Sequence, residues 1–335
     1  MPALSSPSAC PCCAAPQPEH RGSKWSTLLR REFHYHRCRV CAYLWVEPFP
    51  GYDIYNEEYY QGRGPDPYVD YAREYADYRR TDRRLEFADI WRLARRHHRP
   101  GPTAGAVRWL DYGCGAGGLL KFLRDQPGFT QGSRTLPLEI HGHDIGNYAE
   151  RLKQVDRFSI LSAAELAGAT GSFDIISCIE VVEHVREVHE VFASLARLLK
   201  PGGLLLLTTG NLTSTAARMA GLDYRYLLPE FHISLFNPDC LARLYRQHGL
   251  QPLRVRYRGA VQFKVIKSLP QPGLKRLARL GLRLPLVTRA IDRFYGVSAM
   301  PCAVKSGSSL FPVGGGMNQE EGHGVGLTTN GFINR

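Results

Sequence analysis

The residues from Val107 to Gly118 pass from an apolar run into glycines: Val107-Arg108-Trp109-Leu110-Asp111-Tyr112, then Gly113-Cys114-Gly115-Ala116-Gly117-Gly118. From Leu119 the spacing of Leu119, Leu120, Phe122 and Leu123 among charged residues becomes helical. Strand, glycine turn and helix in that order make a nucleotide-binding loop, because residues without a Cβ let the backbone approach a ligand closely. Gly113, Gly115 and Gly118 satisfy the dinucleotide spacing G-x-G-x-x-G. Asp111 argues against that ligand. A carboxylate two residues before the first glycine would face a pyrophosphate across a short gap, and it suits a ligand carrying an ammonium and a sulfonium instead. Asp144 follows Gly118 by 26 residues, further than the roughly 20 of the dinucleotide pattern.

A second group is Cys10-Pro11-Cys12-Cys13 with Cys38-Arg39-Val40-Cys41. Read as C-x2-C, 24 residues, C-x2-C, it offers Cys10, Cys13, Cys38 and Cys41 as four thiolates in two tight knuckles, the tetrahedral set of structural zinc. Cys12 could replace Cys10 or Cys13, and His34 and His36 could compete. Five of the nine cysteines fall within the first 41 residues, a local clustering that speaks for metal rather than a secreted disulfide framework.

The elements that must position these groups follow from periodicity. Phe33 to Arg37 alternates as a strand leading into the second knuckle. Eight tyrosines occupy residues 52 to 78. Tyr68, Tyr71, Tyr75 and Tyr78 share one helix face by their spacing, and a second helix runs on to Pro100. Glu139 to Asp144 is a strand closed by Asp144. The stretch between it and the first helix, Pro127 to Leu138, reads as a loop. Arg157 to Ile160 and Phe173 to Glu180 are further strands. A helix then runs to Leu199, Lys200-Pro201-Gly202-Gly203 turns it, and Leu204 to Leu207 is a buried strand. Pro238 to Gly249 is a helix capped by Asn237, Gln251 to Tyr257 a strand, and Ala299 to Lys305 a final edge strand.

The stretch from Asp111 to Gly117 resembles motif I of the class I S-adenosylmethionine-dependent methyltransferases: an acid, one residue, then Gly-x-Gly-x-Gly. Phe173 to Glu180 with Glu183-His184-Val185 resembles their motif IV and the segment after it, and Leu199-Lys200-Pro201-Gly202-Gly203 is similar to their turn before the fifth strand. The resemblance implies a doubly wound, mainly parallel, seven-stranded Rossmann-like α/β sheet. It implies S-adenosylmethionine held by Asp111, Tyr112, Gly113, Cys114, Gly115 and Gly117, with Asp144 and Ile145 at the ribose, Ser162 and Ala163 at the adenine, and Cys178, Ile179 and Glu180 beside the sulfonium. His232, in Pro229-Glu230-Phe231-His232, is the first choice for a general base, and His184 the second.

The expected organisation is a zinc-ribbon-like segment over 1–47, a Tyr-rich helical lid over 48–104 and a methyltransferase domain over 105–305. A basic helical insertion over 268–296 and a disordered tail over 306–335 complete it. The net charge of +12 is compatible with nucleic acid, anionic lipid or a phosphorylated substrate, and solvated helix faces are the favoured reading. No apolar run approaches the roughly 20 residues of a membrane span, and no signal peptide precedes residue 10, so the expectation is a cytoplasmic protein. The favoured activity is methylation of a small-molecule acceptor at O, C or N, a sugar or other metabolite among them. RNA or protein methylation, with the ribbon and basic patches as docking surfaces, and a non-catalytic methyltransferase-like binding protein are the alternatives.

Overall fold

The computed structural model describes residues 7–63, 71–81, 83–146, 148–224, 226–253, 273 and 302–305. Tyr68, nearly all of the basic stretch 268–296 and the tail 306–335 lie outside the described residues.

A seven-stranded sheet forms the centre. Its strands are β4 (Val107–Tyr112), β7 (Leu138–His143), β8 (Ser159–Ile160), β9 (Phe173–Ile179), β10 (Leu199–Thr208), β12 (Leu250–Leu253) and β13 (Cys302–Lys305). Their order is β12-β13-β10-β9-β4-β7-β8. The five from β10 to β8 run parallel, and β13 is antiparallel to both its neighbours. The mainly parallel, doubly wound sheet expected from sequence is therefore present. β13 is not the expected edge strand: it sits between β10 and β12. A four-residue strand says nothing of its partners, and the position is set by register, with Leu205 opposite Ala303 and Gln251 opposite Val304.

Both faces of the sheet are covered, which is why β10 reads as four consecutive leucines. Leu204 and Leu206 point into one core with Trp109, Ile175 and residues of α2 (Arg83–His97) and α3 (Gly118–Arg124). Leu205 and Leu207 point into the other with Leu110, Ile176 and residues of α6 (Val188–Leu198) and α8 (Pro238–Gln247). Shorter helices complete the layers: α1 (Tyr71–Asp77), α4 (Tyr148–Gln154), α5 (Ala163–Gly168) and α7 (Thr215–Ala220).

Two further expectations change. Pro127 to Leu138 is not a plain loop but contains a hairpin, β5 (Phe129–Gln131) with β6 (Arg134–Leu136). Gly132 at φ 58° makes its turn, and Phe129 is wholly buried. Tyr78 does not continue the face of Tyr71 and Tyr75. It opens a 3-10 turn after α1 and packs on Phe87 and Phe122, because Asp77 caps that turn and breaks the helical phase.

The cysteine-bearing segment forms its own small sheet from β1 (Glu19–Ser26), β2 (Arg31–Arg37) and β3 (Leu44–Glu47). Its fourth strand comes from far along the chain: β11 (Ser234–Leu235) pairs antiparallel with β3, Ser234 opposite Trp45 and Leu235 opposite Leu44. Cys10, Cys38, Tyr43 and Trp45 share a core with Phe192, Phe236 and Tyr245. The ring of Phe236, fully buried, meets Tyr43 edge-on at 5.2 Å. Among the described residues no helix is long and apolar enough to cross a membrane.

Phe236→Ala removes a fully buried ring at this junction and should cost about 3–5 kcal/mol. Urea unfolding followed by tryptophan fluorescence and by far-ultraviolet dichroism should still give one coincident transition at lower midpoint. Two separate transitions, or a loss under about 1 kcal/mol, would contradict a shared core.

Candidate functional site

The glycine turn leaves β4 at the carboxyl edge of the sheet, the edge where ligands bind in open α/β folds. Gly113, Gly115 and Gly117 have φ of 80°, 50° and 73°, a region that residues bearing a Cβ avoid. The N–H groups of Gly113 and Cys114 both donate to His143 O, at 2.7 and 3.0 Å, tying the turn to the end of β7. Asp144 follows immediately. Its carboxylate accepts Gly115 N–H at 2.8 Å and Gly146 N–H at 2.7 Å, so its orientation is fixed before any ligand arrives.

Asp111 is held differently. Trp109 and Asp111 point to the same side of β4, toward Ser177 on β9. The Trp109 indole N–H donates to Ser177 Oγ at 2.9 Å, and Ser177 Oγ–H donates to Asp111 Oδ1 at 2.7 Å. Asp111 is only 3% exposed, and burial pushes its carboxyl up to about 7.

The tyrosines close over the turn. A Cβ on Gly115 would lie 2.9 Å from the Tyr71 ring, and one on Gly146 2.2 Å from Tyr60. Tyr59, Tyr60 and Tyr148 bury Ala116 completely, with Tyr55, Tyr71 and Tyr75 packed around them. Tyr60 O–H donates to Asp144 Oδ1 at 3.3 Å. From α1 the carboxylate of Glu74 accepts Gly118 N–H, and Arg83 lies 3.5 Å from Glu74. Glu74 thus occupies the helix-start amide where a dinucleotide phosphate would sit, a physical reason why the G-x-G-x-x-G spacing does not make a dinucleotide site. Glu74 carried no signal in sequence beyond being a helical glutamate.

On the other side of the cleft, a 3-10 turn over Val182–His184 follows β9. Glu180 sits at φ 55° with its N–H on Thr208 O, and its carboxylate accepts the Tyr226 hydroxyl. The rings of His184 and His232 lie 4.8 Å apart. His184 Nδ1 is 2.9 Å from Phe231 O and 2.8 Å from the Tyr55 hydroxyl, which itself donates to Phe231 O. His232 Nδ1 is 3.0 Å from Tyr226 O. A carbonyl accepts only, so Nδ1 of each imidazole carries the proton it donates, and His184 also hydrogen-bonds the Glu180 backbone. Burial lowers His184 to about 4, so it is neutral at pH 7. Glu183, fully buried, joins them: the three side chains offer ligand atoms within 4.8 Å of one another. This is a donor set for a divalent cation, with each histidine oriented by a carbonyl as metal-bound histidines are.

The remaining sequence-picked residues fall as follows. Cys114 and Cys178 are buried beneath the cleft, and Ile179 is nearly so. Tyr112 lies against the His143 ring. Ile145 is 75% exposed. Ser162 caps α5 in a capping box with Glu165 and stands next to Ala163, the first residue of that helix. In the N-terminal segment Cys10, Cys13, Cys38 and Cys41 bring their sulfurs within 4.8 Å of one another, with Cys10 to Cys41 at 3.7 Å and Cys13 to Cys38 at 3.5 Å. Four sulfurs about 2.3 Å from one tetrahedral zinc stand about 3.7–3.8 Å apart, so the set fits that ion.

Sheet order, glycine turn and acid-closed second strand together define a Rossmann-like nucleotide-binding protein with the class I methyltransferase strand order. The family model described as methyltransferase domain matches residues 72–255, more than half of the chain, and the chain belongs to that family. It is 31% identical over 162 residues to a ubiquinone biosynthesis O-methyltransferase of Thiobacillus denitrificans, covering 45% of this chain and 66% of that one. It is 39% identical over 125 residues to that of Xanthomonas oryzae pv. oryzae, covering 37% and 51%. The matches thus span about half to two thirds of these relatives' length. Among solved structures, a SAM dependent methyltransferase from Archaeoglobus fulgidus aligns at TM-score 0.39 and 13% identity, over 67% of this chain and 96% of that one.

A Cβ on Gly113 would combine φ 80° with a 2.4 Å approach to Val181 Cγ2. Gly113→Ala should lower stability by about 1–3 kcal/mol. Adding Val181→Ala should recover part of that loss, as read from a double-mutant cycle of urea midpoints. A neutral Gly113→Ala would mean the turn is not strained as described.

Proposed function

We propose that this chain transfers the methyl group of S-adenosylmethionine to a hydroxyl of a small-molecule acceptor. The observation that carries this reading is the cluster of Glu183, His184 and His232 across the cleft from the glycine turn and Asp144. The names of the O-methyltransferase relatives support the acceptor atom.

When bound, S-adenosylmethionine supplies an electrophilic methyl carbon on a sulfonium. Asp144, pre-aligned by two backbone N–H groups, is the acceptor for the ribose hydroxyls, and Asp111 the counter-charge for the amino-acid ammonium. Gly113, Gly115 and Gly117 allow close backbone approach, with Tyr112, Cys114 and Ile145 nearby. Ser162 and Ala163 are assigned the adenine side, and Cys178, Ile179 and Glu180 the sulfonium side. The tyrosine lid excludes water from the reacting centre.

In-line transfer needs the acceptor oxygen held against the methyl carbon and relieved of its proton. His232 is the first candidate to take that proton and His184, neutral at pH 7, the second, each held at Nδ1 by a backbone carbonyl. Alternatively, a divalent cation held by Glu183, His184 and His232 would lower the pKa of a hydroxyl bound to it, and the two histidines would then be ligands rather than bases. A zinc ion on Cys10, Cys13, Cys38 and Cys41 would brace the N-terminal sheet against β11 and so the loop carrying His232.

The test uses labelled S-adenosylmethionine and cell extract, fractionated by size. Label in the small-molecule fraction is expected, and label only in RNA or protein would overturn the acceptor class. With an acceptor in hand, His232→Ala should reduce kcat about a hundredfold or more while leaving S-adenosylmethionine affinity within about threefold. An unchanged kcat would remove His232 from the mechanism.

The raised Asp111 carboxyl makes a pH prediction. Below pH 7 the free protein carries Asp111 protonated, and pairing with an ammonium requires the charged form. Binding must then release a proton, so affinity should fall by about tenfold between pH 7 and pH 5.5. Calorimetry on wild type and Asp111→Asn measures it. The variant should bind more weakly at pH 7 and lose the pH dependence. The same dependence persisting in the variant would assign it to another group.

A further inference from the structure

Cys12 and Cys240 stand outside the four-cysteine set, yet their sulfurs lie 3.2 Å apart and both residues are buried, at 0% and 1% exposure. They lie 228 residues apart in the sequence, Cys12 in the first knuckle and Cys240 in the first turn of α8. The sulfur of Cys41 joins them, all three lying within 4.8 Å of one another. Cys41 also belongs to the first group, so the two groups of sulfurs share one atom.

The juxtaposition is built, not incidental. Asn237 Nδ2 donates to Cys41 O at 2.8 Å, and Asn237 Oδ1 accepts the N–H groups of Asp239 and Cys240, each at 2.9 Å. One side chain therefore fixes the second knuckle and the start of α8 together. Cys240 is the third residue of that ten-residue helix, a position whose dipole favours the thiolate that a metal requires.

We infer that Cys12, Cys41 and Cys240 form a second thiolate metal site, bridged through Cys41 to the four-cysteine site, that takes a thiophilic d10 ion, Zn2+ or Cu+. Soft sulfur donors select these ions. Three thiolates complete the low coordination that Cu+ accepts, whereas Zn2+ needs a fourth donor. The geometry favours a metal over a disulfide. Two sulfurs on one zinc stand about 3.7–3.8 Å apart, so the Cys12–Cys240 pair need open by only about half an ångström, while a disulfide at about 2.05 Å requires it to close by more than 1 Å. On binding, the protons of the Cys12 and Cys240 thiols pass to solvent, and the ion compensates negative charge that burial would otherwise make costly. The inference rests on metal occupying the four-cysteine site and is independent of methyl transfer.

Full-length protein purified under reducing conditions is titrated separately with Zn2+ and with Cu+, and bound metal is counted by native mass spectrometry and elemental analysis. With His184→Ala and His232→Ala together removing the Glu183, His184 and His232 donor set, the chain should hold two ions with at least one of the two metals, and the arm that fills the second thiolate position identifies the ion. Cys240→Ser and Cys12→Ala should each lose one ion and keep the other. Cys38→Ser should lose the ion of the first site. One ion per chain in that background at saturation with both Zn2+ and Cu+ overturns the proposal. So does a Cys12–Cys240 cross-linked peptide in a non-reducing digest of the isolated protein. Dichroism spectra matching wild type certify that each variant is folded before its metal is counted.

Discussion

The carboxylate of Asp144, held by the N–H groups of Gly115 and Gly146, is the interaction on which the rest of the cleft depends. It joins the turn after β4 to the end of β7 and closes the gap between two parallel strands at their carboxyl edge. With His143 O receiving two more N–H groups from the same turn, three backbone amides tie the turn to the end of β7. The tyrosine lid can then pack closely, because its rings rest on positions where glycine leaves room. Satisfying the turn internally also fixes the polarity of the site. Glu74 takes the amide at the start of α3, so that N–H is not free to receive a phosphate, and the carboxyl groups of Asp111 and Asp144 flank the same turn.

The opposite wall is built by a different device. The chain between β10 and α8 makes a long excursion whose residues Tyr224, Tyr226, Leu227, Ile233 and Leu235 pack against Phe33, Tyr35, Leu44 and Val46 of the N-terminal sheet. His232 lies in that excursion, and its orientation is set by the carbonyl of Tyr226, while Tyr55 reaches across to His184. The cysteine-bearing segment is thus a structural partner of the loop that carries His232. The β3–β11 pairing begins two residues after His232.

How much of this was legible in the sequence depends on the range of the interaction. The glycine turn was legible because left-handed backbone angles leave a local signature, and Asp144 was singled out because the family resemblance expects an acid at the end of the second strand. The buried strands β9 and β10 announced themselves by continuous apolar runs. The hairpin at Phe129 was not legible, since three-residue strands around a Gly-Ser turn look like any polar connection. Nor were the pairing of two-residue β11 with β3, the placement of β13 inside the sheet, or the approach of Cys240 to Cys12. Each is a contact between segments far apart in the chain whose local composition is unremarked, and only the packed fold brings them together. Glu74, Ser177 and Tyr55 belong to the same class: ordinary residues of a helix, a strand and a loop that acquire a role from what faces them.

The central claim is that the turn and Asp144 form a pocket for S-adenosylmethionine. Titration calorimetry with S-adenosylmethionine and its demethylated product tests it most directly. One molecule of either should bind per wild-type chain, and Asp144→Ala, folded as judged by dichroism, should weaken both by about tenfold or more. Absence of binding to the wild-type protein, or an unchanged affinity in Asp144→Ala, would contradict the account.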